Sequence, residues 1–514
     1  MYFIGLDIGT SGLKAGVINE EGVIVASAYW ETKRVSSEPG RMEQDIDEIL
    51  THSLKITKTV MERAGVESGE IGAVVLDGQM AGIIGVDRAF TSITGLDSNL
   101  DLQSEKYNLM MHERFPDLLA QVTCGSPLNG QKILKWKQDY PETYAKVHKF
   151  VTLNGYVAGK LAGLKGDDAF IDHTLLAFFG FESARDLSWS EELCERLEVD
   201  REKLPEVVPP HRVVGTIDKR AAWLSGLKQG TPVLAGAGDQ AAGLMGMGIL
   251  EPGLMVDVSG SSTLLFVCVD GFVPDVKNRK IMYIPSVEQG IYYAFTYING
   301  GGMSIPWYVE DILGKGAESE ADRYTELTGL ASLLPPGSNG LLFIPYFGGR
   351  QCPFDVSLRG GWLGLTWGHK REHLYRAILE SIAYVNYSGF RAITRMFPAV
   401  RATEILVAGG GAGNDLWNQI KADVFGVTYR KLKGYEYAIR GCGMIAAYGC
   451  GVFDDLGSAI SHMSPGKQGE IFLPDNEKNA VYASYCDIFE NIFSRDLRET
   501  LYSLLDVATG EHFS

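Results

Sequence analysis

Two distant stretches of this chain share one plan. Near the start stands DIGTSGLKAGVINEEGVIV, and about 250 residues later stands DVSGSSTLLFVCVDGFV. Each has an Asp on an apolar β-type run, a glycine with hydroxyl residues at a tight turn, a second apolar run, an acid-Gly turn and apolar residues again. A hairpin that recurs at this distance predicts two domains of related design. Length agrees, because 514 residues exceed a single core, which stops growing at roughly 250–300 residues. The boundary is expected in GMGILEPG, residues 246–253, where Gly and Pro concentrate, so the chain divides into 1–248 and 249–514.

Apolar runs alternate with helical patterns throughout, so the class is α/β. YFIGLDIG reads as a buried strand, LKAGVIN and VIVASAYWE as the next two with a turn between, and IGAVVLDGQ as another. DIDEILTHSLKITKTVMERAG has helical spacing and begins with acids, as a helix N-terminus favours. REHLYRAILESIAYVNYSGFRAITRMF is a long helical pattern, followed by EILVAGGGAGN, a strand that breaks into glycines.

Charge narrows the partners. With 47 Lys and Arg against 64 Asp and Glu, the net charge of −17 argues against nucleic acid or an anionic membrane. The seven cysteines form no C-x-x-C pair, which suggests reduced thiols in a cytoplasm and no zinc site. No basic and apolar leader opens the chain, and no run approaches the roughly 18 apolar residues of a membrane span. A cytoplasmic location is the expectation.

Three glycine sites suit phosphate or nucleotide. Gly9-Thr10-Ser11-Gly12 at a strand end makes a nest of backbone N–H groups with hydroxyls beside it, and Asp7 stands just before it, placed to hold Mg2+ through water. A plain hairpin turn is the alternative. The echo Gly260-Ser261-Ser262-Thr263 favours phosphate, since two such hairpins facing each other would grip a triphosphate. At the third site Gly409-Gly410-Gly411 follows a strand, and Asn414 or Asp415 starts an amphipathic helix, so a nucleoside fits over the glycines. Lys14 reads as an exposed strand lysine. GYVAGKL lacks the spacing and terminal hydroxyl of a P-loop.

Asp239, in LAGAGDQAAGLMG, has three readings: a helix cap, part of a dinucleotide turn, or a catalytic base. GAGDQA fits G-x-G-x-x-[G/A] with Asp257 about 20 residues on, but Gly243, Gly246 and Gly248 would weaken the helix that motif requires.

Jointly, GLDIGTSGLKAG, AGAGDQAAGLMG, FIPYFGGRQCPFDVSLRGGWLGLT and VAGGGAGNDLWNQIKADVFG resemble the FGGY carbohydrate kinases, within the actin/hexokinase/Hsp70 superfamily and with a xylulokinase-like flavour. The resemblance runs from Tyr2 to about Phe453 and weakens after about Gly457. It implies two ribonuclease-H-like (actin-like ATPase) domains flanking a deep cleft, with ATP and Mg2+ mainly on the second and the sugar mainly on the first. By position Asp239 matches the general base, and Asp7 and Asp239 would hold Mg2+. Thr10 and Ser11 match the first phosphate loop, Gly260 and Ser261 the second, and Gly410, Gly411 and Asn414 the adenosine segment.

The sugar side departs from the family pattern. In DGQMAGIIG, Gln79 and Met80 fit a Gln-Met-His block and Ala81 replaces its polar residue. In SNLDLQS, Asn99 stands for Trp, Asp101 is kept and Gln103 stands for Arg. GGRQCP stands where many xylulokinases have Gly-Glu-Arg. Gln79, Met80, Asp101 and Asp239 are the expected sugar contacts; Gln79 and Asp101 are short polar groups that suit hydroxyl partners, with a turn amide and a solvated loop acid as the alternative. The resemblance therefore implies an ATP-dependent kinase for a primary hydroxyl of a small sugar or polyol, a ketopentose such as xylulose. A homodimer is compatible with it. The rivals are an ATP-binding superfamily member with a degenerate sugar site, chaperone- or scaffold-like, and an NAD enzyme using GAGDQA.

Overall fold

The structure, a computed structural model, describes residues 1–33, 35–38, 41–98, 102–314, 319–434, 436–464, 466 and 468–492. The first sheet is built from β1 (Tyr2–Ile8), β2 (Gly12–Asn19), β3 (Ile24–Glu31), β4 (Ile71–Gly78), β5 (Val213–Thr216), β6 (Pro232–Leu234) and β7 (Ala237–Gly238). Its order is β5-β6-β4-β1-β2-β3, with β7 also on β4. The second contains β8 (Met255–Ser259), β9 (Thr263–Val269), β10 (Met282–Pro285), β11 (Tyr292–Ile298), β12 (Glu404–Ala408), β13 (Thr428–Leu432) and β14 (Gly469–Phe472), in the order β10-β11-β9-β8-β12-β13-β14.

The sequence echo is a topological one. In the first sheet β3-β2-β1 are antiparallel neighbours and β4 joins β1 in parallel. In the second, β11-β9-β8 are antiparallel and β12 joins β8 in parallel. Both sheets are covered on their faces, so the central strands read as nearly unbroken apolar runs. Phe3, Ile4, Leu6 and Ile8 on β1 are all buried.

Helix α1 (Ile46–Ala64) starts at Asp45, whose carboxylate accepts the Asp47 and Glu48 N–H groups, and ends at Gly65 in the left-handed region. Its Ile49, Ile56 and Val60 are buried against the first sheet, each contributing about 1.5–3 kcal/mol. Two further helices matter here: α2 (Asp239–Gly246), and α3 (Arg371–Met396), which lies against the second sheet with α4 (Asp415–Phe425).

Helices α5 (Tyr437–Gly449) and α6 (Leu456–Met463) come late in the chain but pack on the first sheet, where Ile439, Cys442 and Ile445 join Phe3, Ile18 and Val75. Helix α2 crosses α5 so closely that a Cβ on Gly246 would lie 1.9 Å from the Tyr437 carbonyl, and one on Gly441 2.0 Å from that of Ala242. A glycine that reads from sequence as weakening α2 is therefore its contact point.

Residues 82–98 and 102–204 form an accessory layer on the first half, with a small sheet of Gly82–Val86, Asp97–Ser98 and Lys149–Thr152. This layer touches the edge of the second sheet: the Tyr283 N–H donates to the Cys124 carbonyl at 2.7 Å and the Tyr292 hydroxyl to that of Ala184 at 2.6 Å. No helix among the described residues is long and apolar enough to cross a membrane.

Candidate active site

The two echoed hairpins turn over residues 9–11 and 260–262. Gly9 N–H donates to the Gly12 carbonyl at 3.0 Å, and Gly260 N–H to that of Ser262 at 3.0 Å. Ser11 and Ser261 are exposed at the tips.

Gly260, Ser261, Gly410, Gly411 and Asn414 all line one cavity of about 790 Å³. Asn414, not Asp415, caps α4, its side chain accepting the Trp417 N–H at 3.1 Å and donating to the Tyr375 hydroxyl at 2.9 Å. Met303, Tyr324 and Thr328 complete the wall, and none of them carried a sequence signal.

Thr10, Gln79, Met80 and Asp239 line a second cavity of about 280 Å³. The second hairpin has a face on each cavity, because Ser262 lines the smaller one. Gln79 is buried: its Oε1 accepts the Thr10 hydroxyl at 3.3 Å and its Nε2 donates to Gln44 at 3.2 Å. Ser126, Gln240, Tyr297 and Gln351 also face this space. Ser126 sits on a loop held by the buried Glu182, whose carboxylate accepts Cys124 N–H at 2.9 Å and Gly180 N–H at 2.6 Å. Phe178, Phe266 and Phe295, whose rings pack on one another, add an apolar lining. Asp101 and Asn99 lie outside the described residues.

Asp239 is the first residue of α2, after the capping position taken by Gly238. The cap reading is thereby corrected: its Oδ1 accepts the adjacent Gln240 N–H, at 2.6 Å, and not the N–H groups two or three residues on. Burial pushes its carboxyl up to about 7, and the nearby Asp7 charge adds to the shift.

Asp7 lines neither cavity. It lies at the cleft end of β1, opposite Lys14 on β2 and Asp77 on β4. Burial raises it, while the Lys14 ammonium 4.0 Å away lowers it. Lys14, which reads from sequence as an exposed strand lysine or as one reaching a phosphate, is thus a neighbour of Asp7. Asp77, which sequence reasoning passed over, is fully buried, accepts the Cys442 thiol at 3.1 Å, and is raised well above the usual carboxylate range by burial and by Asp7.

The second copy is wired differently. Asp257, the counterpart of Asp7, is wholly buried and its Oδ1 accepts the Lys421 ammonium at 3.0 Å and the Ser259 hydroxyl at 2.6 Å. An acid consumed in this way is not available to a ribose, which overturns the dinucleotide reading of GAGDQA.

Residues 2–246 match the N-terminal domain of the FGGY family of carbohydrate kinases, and residues 255–450 match its C-terminal domain. The chain is 26% identical to a xylulose kinase of Bacillus subtilis over 98% of this chain and 99% of that protein. It is 25% identical to a gluconokinase of Bacillus licheniformis, over 96% and 95%. A solved xylulose kinase from Rhodospirillum rubrum shares the fold with a TM-score of 0.85 at 22% identity, over 98% of this chain and 100% of that one. With both family domains matched in order across a two-sheet actin-like fold, the chain belongs to the FGGY family of carbohydrate kinases and is a sugar kinase, a phosphotransferase with an alcohol as acceptor.

Proposed function

We propose that this kinase transfers the γ-phosphoryl group of ATP to a primary hydroxyl of a small neutral sugar, a ketopentose such as xylulose. One observation carries the reading: the second hairpin is shared between the two cavities, and Asp239 lines the smaller. The larger cavity would take the nucleoside over Gly410 and Gly411, with Asn414 at the helix start. Phosphates would then run over Gly260 and Ser261 toward Thr10 and Ser11. Asp239 would accept the proton of the sugar hydroxyl as that oxygen attacks phosphorus in line.

Asp7 and Asp239 are hard oxygen donors, and Mg2+ typically takes one or two carboxylates together with phosphates and water. They fit that ion, which when bound offsets charge on the phosphates. The reading keeps the division at 248/249, with α5 and α6 crossing back to the first sheet.

Neutrality follows from the lining. No Lys, Arg or His is among the described residues around the smaller cavity. An aldonate would meet Asp239 with no cation to offset its own charge. Xylulose, gluconate and glycerol, each with Mg-ATP, test this by ADP release. A neutral ketopentose should exceed gluconate in kcat/KM by about 100-fold, as for a site whose polar groups match one acceptor and not the other. Gluconate as the best substrate, or ADP release that no sugar stimulates, would overturn the proposal.

The phosphate path gives a second prediction. A Cβ on Gly302 would lie 1.9 Å from the Gly260 carbonyl, so Gly302→Ala displaces the second tip. The nucleotide KM should rise about tenfold, as for a misplaced positioning group, with a smaller effect on the sugar KM. An unchanged nucleotide KM would remove that tip from the nucleotide path.

A further inference from the structure

The peptide that leads into Asp239 is held from outside its own helix. Gly238 caps α2, and its N–H donates to the Thr174 hydroxyl oxygen at 2.9 Å. Thr174 lies in the 3-10 turn His173–Leu176, which is capped by Asp172. Asp172 Oδ1 accepts the Thr174 N–H at 3.0 Å and also the Thr174 hydroxyl hydrogen. A hydroxyl has one hydrogen, so Asp172 fixes the direction of the chain: Gly238 N–H to Thr174, Thr174 O–H to Asp172. Both side chains are buried, Thr174 fully. On the other side of the same peptide, the Asn154 amide donates to the Ala237 carbonyl at 2.9 Å.

The turn also reaches the second sheet. The neighbouring His173 donates from Nε2 to the Ser286 carbonyl at 2.7 Å, just past β10. Met282 and Ile284 on β10 line the sugar-side cavity. One short turn therefore links the backbone that leads into Asp239 with a strand that lines the same cavity.

We infer that Thr174 and Asp172 are positioning residues that aim Asp239 at the acceptor hydroxyl, an inference that rests on Asp239 being the base. The physical reason is the narrow tolerance of proton transfer. A reacting pair displaced by about 1 Å can lose 10²-fold in rate, and a buried chain of paired hydrogen bonds resists such displacement. Without the hydroxyl, Gly238 N–H and the Asp172 carboxyl lose their shared partner, and the peptide is held only from its other side, by Asn154 and the pairing with β4.

A merely structural role and a positioning role separate in a double-mutant cycle with Asp239→Asn. Thr174→Val should lower kcat about 10²-fold with the sugar KM within about threefold, and Thr174→Ser should restore kcat to within about threefold of wild type. In the Asp239→Asn background, Thr174→Val should change the residual turnover by less than about threefold, since there is no base left to aim. Full additivity of the two losses, wild-type kcat in Thr174→Val, or Thr174→Ser as slow as Thr174→Val would each overturn the inference. Wild-type turnover in Asp239→Asn alone would instead overturn the base assignment. Should Thr174→Val not fold, Asp172→Leu, which releases the hydroxyl hydrogen, enters the same cycle with the same expected outcomes.

Discussion

Asp239→Asn is expected to lower turnover by about 10³-fold, within the range that a positioned general base supplies. Asparagine keeps the shape and an acceptor oxygen but cannot take the proton. The substitution should also raise Tm at alkaline pH. The Asp239 carboxyl is held at about 7 against an ordinary 3.8. A carboxyl raised on folding destabilises the native state progressively as pH climbs from the unfolded value through the folded one. The advantage of the neutral variant should therefore be absent near pH 4, grow through about pH 7 and level off above it. In the wild type, kcat/KM for the sugar should fall about tenfold per pH unit below that limb, because the base must be ionised. Thermal scans and initial rates across pH check both. Wild-type turnover in the variant, or a Tm gain confined to acid pH, would contradict the assignment.

Lys421→Met is expected to cause the largest loss of stability, about 3–5 kcal/mol, the usual consequence of leaving a buried charge without its partner. Lys421 and Asp257 are both wholly buried, 3.0 Å apart, with the ammonium 3.9 Å from the centre of the Trp417 ring. Methionine fills much of the lysine stem's volume and strands the Asp257 carboxylate, whose Oδ2 has no hydrogen-bond partner among the described residues even in the wild type. Asp257→Asn added to Lys421→Met should recover most of the loss, since the pair is then neutral on both sides. Urea denaturation of the three variants measures this. A loss below about 1 kcal/mol, the level of an exposed pair, would mean that the ion pair does not hold the second sheet together.

This pair also shows what was legible in the sequence. The repeated Asp-hairpin plan correctly announces two related sheets, because strand order follows from apolar runs and turn chemistry that are local. The same plan cannot tell the fates of its two acids apart. Asp7 meets Lys14 across a hairpin seven residues long in register, but Asp257 is neutralised by Lys421, which arrives from α4 far along the chain. Asp77 stayed unread for a related reason: it joins Asp7 only through the parallel register of β1 and β4. Thr174 and Asp172 lie in a short turn with no periodic pattern, and only the fold brings them under Gly238. Gly260, Ser261, Gly410, Gly411 and Asn414 belong to fixed local motifs that the sequence shows, and they converge on one cavity, the one proposed for the nucleotide. On the sugar side, Ser126, Tyr297 and Gln351 come from three separate segments, and no spacing links them.

In the proposed complex a triphosphate lies across both hairpin tips, with Asp239 on the acceptor side. A crystal structure of the protein with a non-hydrolysable Mg-ATP analogue and a ketopentose tests it most directly. The account predicts the acceptor oxygen within hydrogen-bond reach of Asp239, roughly 2.6–3.2 Å, and about 3–3.5 Å from the γ-phosphorus. A closed complex in which the γ-phosphate lies away from both tips, with Asp239 facing no hydroxyl, would contradict it.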